Sequence, residues 1–79
     1  MTPKQVDILR YLSDRYAVFI ASTEIGEAVG GKLYGDPSSW ARPTLNILVK
    51  KGFAERAEDR GHYRITKLGS AESSIRRNK

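Results

Sequence analysis

Four polar side chains recur at intervals of three or four residues near the middle of the chain: Ser39, Arg42, Asn46 and Lys50. At about 100° per residue, this spacing places them along one edge of a helix. Arginine can donate two hydrogen bonds to guanine, asparagine pairs with adenine through a donor and an acceptor, and lysine neutralises phosphate. The stripe therefore predicts contact with duplex DNA, although an ordinary solvated helix face has the same pattern.

The helix that carries this stripe must also bury an apolar face. Side chains on another arc of the same helix are expected to face the core: Ala41, Leu45, Leu48 and Val49. The start of the helix has two candidates, because Asp36-Pro37 and Arg42-Pro43 each place a proline where a first helical position would be. We expect a start near Ser38 or Ser39, with Pro43 inside the helix.

A two-stranded hairpin, or wing, is predicted directly after this helix. Gly52 is expected to end the helix, and the hairpin tip is expected at residues 58–61, where Gly61 would take a positive φ. Tyr63 and Ile65 would alternate with exposed side chains, although a purely structural hairpin with surface arginines has the same pattern. The side chains expected to line a phosphate backbone or a minor groove are Arg56, Arg60, His62 and Arg64.

The first helix has a clear start. Thr2 is a capping residue, Pro3 fits the first helical position and Gln5 completes a capping box. The helix is expected to end at about Asp14. A short apolar and partly β-branched segment follows, and it predicts a small strand within residues 16–20.

A second helix is predicted from a cap at Ser22 or Thr23 to the pair Gly30-Gly31. Gly26 inside this helix costs ~1 kcal/mol relative to alanine. It indicates either a close approach between two helices or a tolerated surface glycine. Residues 31–36 make the connection to the third helix longer than that of a tight helix-turn-helix.

Length and charge limit the classes of protein that the chain can belong to. Its 79 residues allow one domain with a small core. The formal net charge is +5, and residues 32–79 contribute +6 while residues 1–31 contribute −1. The basic part is also the part with the predicted stripe and hairpin. This asymmetry favours a polyanionic partner, although an acidic protein or an anionic membrane surface also fits.

Disulfides, thiolate metal sites and membrane spans are not expected. The chain has no cysteine, no apolar leader follows Met1, and the longest apolar run covers only residues 17–21. We expect a cytoplasmic protein, associated with the nucleoid, or with the host cytoplasm if the source is viral. No membrane partner is expected.

Enzymatic interpretations have little support, and no catalytic residue, cofactor or metal is expected. The spacing of Gly26, Gly31 and Lys32 is that of a phosphate loop, but Leu33 stands where such a loop has its serine or threonine. A single histidine, His62, and the absence of cysteine leave no multi-histidine metal site and no thiol nucleophile.

The chain resembles the winged helix-turn-helix domains of prokaryotic transcription regulators, the broad group that includes the MarR and PadR families. The resemblance covers residues 4–69 and rests on three motifs: Thr23-Glu24-Ile25-Gly26-Glu27-Ala28-Val29-Gly30, Leu45-x-x-Leu48 with Lys51-Gly52-Phe53, and Tyr63-Arg64-Ile65-Thr66-x-x-Gly69. It implies an α+β, mainly α fold in which three helices precede a two-stranded β wing. Residues 1–69 would form this domain, and residues 70–79 a short, mobile basic tail.

The resemblance also implies a function, namely sequence-specific binding of double-stranded DNA by a small transcription regulator. The third helix would enter the major groove, and the wing would touch the backbone or the minor groove. By position, the third-helix role falls on the Ser39 to Lys50 stripe and the wing role on Arg60 and Arg64. A homodimer is compatible with this function. The long connection and Pro43 depart from the family pattern.

A second class of function stays open, because winged helices also serve as protein-interaction adaptors or RNA-binding elements. In that case Trp40, Ile47 and Tyr34 would form an apolar contact patch for a partner. The state of Trp40 separates the two classes. A tryptophan packed into the core favours DNA binding, whereas an exposed one beside Ile47 favours a protein partner.

Overall fold

The computed structural model describes residues 1–16, 18–30, 35–59 and 61–77. Within these residues the fold is α+β and mainly helical, with four helices and a three-stranded antiparallel sheet. None of the helices there is long and apolar enough to cross a membrane. In chain order the elements are α1 (Pro3–Ser13), β1 (Ile20–Ala21), α2 (Ser22–Gly30), α3 (Pro37–Lys50), β2 (Ala54–Arg56), β3 (His62–Ile65) and α4 (Lys67–Arg77).

The predicted capping box of α1 is confirmed. The Thr2 hydroxyl accepts a hydrogen bond from the Gln5 amide at 3.2 Å, and the Gln5 side-chain oxygen accepts one from the Thr2 amide at 3.3 Å. Two amides that lack helical partners are thereby satisfied. The helix ends at Ser13, with Asp14 as its C-cap.

The sheet has the strand order β1-β3-β2, so β3 lies in the centre. Ile20 pairs with Tyr63, and Ala54 pairs with Ile65. All four of these side chains are buried, so they mark the inner face of the sheet. The strand expected within residues 16–20 begins only at Ile20 and continues to Ala21, because only these two residues pair with β3.

One apolar core joins the helices to the inner face of the sheet. The predicted core residues Ala41, Leu45 and Leu48 are fully buried, and Val49 is partly buried against them. The remaining buried apolar side chains come from α1, α2 and the three strands: Ile8, Leu9, Leu12, Ile20, Ile25, Ala54, Tyr63 and Ile65. The buried stripe of α3 therefore leaves its opposite side for solvent.

The helices α2 and α3 meet closely at Gly26. A Cβ at this position would overlap the backbone carbonyl of Pro37, so only glycine fits there. The hydroxyls of Ser22 and Ser38 lie 2.7 Å apart at the same crossing. Of the two interpretations of Gly26, the close approach between helices is confirmed.

The helix α3 begins earlier than expected. Asp36 is its N-cap and Pro37 its first residue, whereas the sequence favoured a start at Ser38 or Ser39. The Asp36 carboxylate accepts hydrogen bonds from the Ser38 and Ser39 amides, at 3.1 and 3.3 Å, and these bonds fix the earlier start.

The glycine expectations for the two ends of the hairpin have different outcomes. Gly52 has a φ of 82° just after α3, as a C-terminal glycine should. The φ of Gly61 depends on Arg60, which lies outside the described residues, so the positive φ expected at Gly61 stays a prediction. The turn is stabilised by Asp59, whose carboxylate accepts a hydrogen bond from the Gly61 amide at 3.0 Å.

The expected mobile tail is wrong for residues 70–77, which belong to the helix α4. This helix packs on α1, and the Ser73 side chain is fully buried. Gly69 allows the packing, because a Cβ there would overlap the backbone carbonyl of Phe53. A fourth helix therefore follows the two-stranded hairpin, and the domain continues beyond Gly69.

We predict that Gly26→Ala destabilises the fold by about 1–3 kcal/mol, because the added methyl must displace the backbone of α3. Chemical denaturation measures the change. Gly35→Ala is the matched control, since a Cβ at Gly35 meets no atom of the described residues within 4 Å. Equal stabilities of the two variants would contradict the close approach.

Two substitutions in α4 are predicted to have opposite signs. Gly69→Ala should destabilise the protein by about 1–3 kcal/mol through overlap with Phe53. Ser73→Ala should be neutral or stabilising by on the order of 1 kcal/mol, because its buried hydroxyl has no hydrogen-bond partner among the described residues. Thermal denaturation of both variants tests the docking of α4. A mobile tail would leave both melting temperatures unchanged.

Candidate nucleic-acid interface

The stripe predicted on the third helix lies on the solvent side of α3. Ser39, Arg42, Asn46 and Lys50 are all exposed. The last three follow one another at intervals of four residues, which corresponds to roughly 6 Å along the helix axis per step. The structure thus brings a guanidinium, an amide and an ammonium group into one row.

The N-terminal end of the row is held by Asp36. The Ser39 hydroxyl donates to the Asp36 carboxylate at 2.8 Å, in addition to the two amide bonds of the cap. The hydrogen bond from the Ser39 hydroxyl is the main cause of the lowered pKa of Asp36. The two amide hydrogen bonds and the nearby Arg42 charge lower this pKa further. Ser39 is therefore committed to the cap, which leaves Arg42, Asn46 and Lys50 as the freer groups.

Asn46 contacts the sheet as well as solvent. The Tyr63 hydroxyl lies 3.5 Å from Asn46 Oδ1, at the long limit of a hydrogen bond. This contact biases the carbonyl oxygen toward Tyr63, so the amide nitrogen points away from it. The sequence identified Tyr63 only as a core residue, because alternation along a strand does not show where a phenol oxygen ends.

Arg56 lies on the same side of the sheet as this contact. It pairs with Tyr63 across β2 and β3, and cross-strand partners share a face. Arg56 is exposed because it stands at the end of β2, beyond the buried residues. Of the predicted hairpin cations, Arg56 is therefore the one that the described residues place on the α3 side.

The structure places Arg64 and His62 on the outer face of the sheet, away from α3. Arg64 is paired with Glu55, and its guanidinium carbon lies 4.5 Å from the Phe19 ring centroid. His62 Nδ1 lies 2.8 Å from the Asp59 carboxylate. The Gly61 amide is the main cause of the lowered pKa of Asp59. Arg60 and Tyr34 lie outside the described residues.

Trp40 packs against the protein rather than standing free. Its ring is partly buried against the core, and a Cβ at Gly30 would lie 2.8 Å from it. The Lys4 ammonium lies 4.2 Å from the ring centroid and donates to the Trp40 carbonyl oxygen at 2.7 Å. Ile47, in contrast, is 39% exposed beside the polar row.

Charge is divided between the helices. The segment of α3 carries Arg42 and Lys50 and has no acidic residue. Exposed carboxylates are found on α1 and α2, at Asp7, Glu24 and Glu27. The row on α3 is therefore positively charged, and the one carboxylate next to it in the chain is that of the N-cap, Asp36.

The same residues offer no metal centre. In the part of the chain that the structure describes, no group of three or more histidine, aspartate or glutamate side chains is placed to hold an ion. The chemistry of the α3 face is that of hydrogen bonding and charge neutralisation, as binding to a polyanion requires.

Comparison of the chain with protein-family models, with curated proteins and with solved structures finds no match.

We predict that charge on Asp36 stabilises the fold at neutral pH and not in acid. A lowered pKa means that the folded state holds the charged form, so this stability is present above the ordinary value of 3.8 and is lost as the pH falls through the lowered pKa. Urea denaturation of wild type and Asp36→Asn should show a gap that closes on acidification.

Ser39→Ala provides the control for this pH dependence. Its hydroxyl is the first cause of the lowered pKa of Asp36, so the gap should be smaller when Asp36→Asn is measured in that background. A gap that is independent of pH would show that the Asp36 charge does not stabilise the cap.

Proposed function

We propose that this protein is a winged helix-turn-helix DNA-binding protein that recognises double-stranded DNA in a sequence-specific way. Its proposed role is that of a small transcription regulator, as the resemblance to prokaryotic regulators implies. The observation that carries the proposal is the exposed row of Arg42, Asn46 and Lys50 on a helix without acidic residues. A binding role rather than a catalytic one is part of the proposal.

The row has the dimensions and chemistry for the major groove, which admits an α-helix. In this proposal Arg42 donates to guanine, and Asn46 pairs with adenine while Tyr63 restrains its amide. Lys50, at the end of the helix, neutralises a phosphate. Ile47 is exposed on the neighbouring flank of α3 and can contact a thymine methyl.

The hairpin contacts DNA through the face of the sheet that packs against α3. Arg56 shares the face of Tyr63 and reaches a phosphate beside the groove that α3 occupies. Arg64 was predicted as a backbone contact, but its pairing with Glu55 and its stacking on Phe19 support a position away from the DNA. The hairpin thus supplies both a candidate contact and a nearly matched control.

The alternative of a protein adaptor or an RNA element rests on an apolar patch that includes Trp40 and Ile47. The packing of Trp40 on Gly30 and Lys4 supports the core interpretation of this tryptophan. Of the patch residues that the structure describes, Ile47 is the exposed one, and single exposed apolar residues are common on protein surfaces. Duplex DNA is therefore the better supported partner.

We predict that Arg42→Ala and Asn46→Ala relax sequence preference. The experiment first selects a preferred duplex from a random library and then measures its affinity and that of a scrambled duplex. Each lost base contact should weaken the selected duplex by about 1–3 kcal/mol, with a smaller effect on the scrambled one. Equal losses on both duplexes would overturn the assigned row.

The hairpin is tested in the same assay through two arginines on opposite faces of the sheet. Arg56→Ala should weaken both duplexes and reduce the salt slope by about 1, as the loss of one phosphate contact does. Arg64→Ala should leave both affinities within about twofold, since exposed ion pairs contribute little. A larger loss from Arg64→Ala than from Arg56→Ala would reverse the assigned face.

A further inference from the structure

Exposed apolar side chains gather in the connection between α1 and β1. Tyr16 is 52% exposed, Val18 56% and Phe19 40%. Half of the large hydrophobic side chains that the described residues leave exposed belong to this short segment. Aromatic rings in solvent cost free energy unless a ligand covers them, so the rings of Tyr16 and Phe19 mark a candidate binding surface.

Register places Phe19 beside two charged residues on the outer face of the sheet. Ile20 pairs with Tyr63, so Phe19 stands next to Arg64, and Arg64 pairs with Glu55 on the other side. The Arg64 guanidinium covers part of the Phe19 ring, 4.5 Å from its centroid. Because Glu55 pairs with the guanidinium, it favours the position of Arg64 against the Phe19 ring.

A cleft of about 270 Å³ extends this surface toward α4. It is lined by Tyr16, Arg64 and Lys67, together with Glu55, Ile65 and Thr66. Tyr16 and Lys67 thus both line the cleft, and both are exposed. The site combines flat apolar rings with two cations, and among the described residues Glu55 pairs with one of them, Arg64.

Rings and cations together match the two parts of a nucleotide. A base stacks on an aromatic ring or on a guanidinium, and the phosphate that follows it binds an ammonium group. Paired bases inside a duplex are not free to stack on a protein surface, so the ligand must be single-stranded. An acidic protein would complement the cations but would leave the open faces of the rings without planar groups.

We propose that the outer face of the sheet, at Tyr16, Phe19, Arg64 and Lys67, binds single-stranded nucleic acid by base stacking. This surface lies on the opposite side of the sheet from Arg56 and Tyr63. It therefore acts independently of the row on α3, and it goes beyond the proposed binding of duplex DNA. Stacking of this kind tolerates every base, so little sequence preference is expected.

The test measures fluorescence anisotropy of labelled single strands of about twelve nucleotides, a length within the range of single-strand sites. The probes are oligodeoxyuridine, oligouridine and an abasic deoxyribose-phosphate strand of equal length. Oligodeoxyuridine and oligouridine have the same bases and differ only in the 2′-hydroxyl, so their comparison identifies the source as DNA or RNA. The abasic strand keeps the phosphates and removes the stacking groups.

Wild-type protein should bind at least one base-bearing strand roughly tenfold more tightly than the abasic strand. Phe19→Ala should remove most of that advantage, and Phe19→Tyr should retain it. Val18→Ala is the matched control, because Val18 is an exposed neighbour without a ring. Tyr16→Ala provides a second variant on a side chain that is mostly in solvent, so folding should not be affected.

Three results would overturn the proposal: equal binding of abasic and base-bearing strands, no binding of any strand at low salt, or unchanged affinity in both Phe19→Ala and Tyr16→Ala. Arg42→Ala separates this test from that of duplex binding. It should leave single-strand affinity unchanged, so either proposal can fail while the other holds. A loss of single-strand binding in Arg42→Ala would assign the strand to α3 and reject the sheet site.

Discussion

The contact between α2 and α3 at Gly26 is the constraint on which the rest of the arrangement depends. Because no Cβ fits between the helix and the Pro37 carbonyl, the two backbones touch, and the hydroxyls of Ser22 and Ser38 complete the crossing. The Ser22 amide also donates to the Gly61 carbonyl oxygen at 2.9 Å. The start of α2 therefore positions both α3 and the turn of the hairpin. These contacts fix the position of the α3 row relative to Arg56.

The central strand β3 divides the basic groups into two chemical environments. Tyr63 points inward and reaches Asn46, whereas Arg64, one residue later, points outward and meets Glu55 and Phe19. This alternation follows from the pleat of a strand. Adjacent residues thus serve opposite surfaces, one made of hydrogen-bonding and charged groups on a helix and the other of rings and cations on a sheet. Net charge alone does not distinguish these surfaces.

Local rules predicted much of the fold. The capping box at Thr2, the buried stripe of α3 and Gly52 as the C-terminal glycine of α3 each depend on residues close in sequence, and the structure confirms them. The helix α4 was missed, since its Gly69 disfavours a helix and becomes necessary only against the Phe53 carbonyl. The exposed row on α3 was located correctly, and its role in DNA binding stays a prediction. The partners of Arg64 depend on strand register, which the residue pattern did not determine.

Because of Pro43, α3 stays helical only when it is packed against the rest of the domain. A proline inside a helix has no amide to donate, so the Ser39 carbonyl loses its helical partner, at a cost of about 3 kcal/mol. The segment is therefore a poor helix in isolation, and its fourteen residues hold their shape because Ala41, Leu45 and Leu48 are buried. An excised peptide of this segment would present the same side chains on an unfolded chain. Recognition of any ligand by this helix is thus a property of the assembled domain, and loss of the core would abolish it before any contact residue changed.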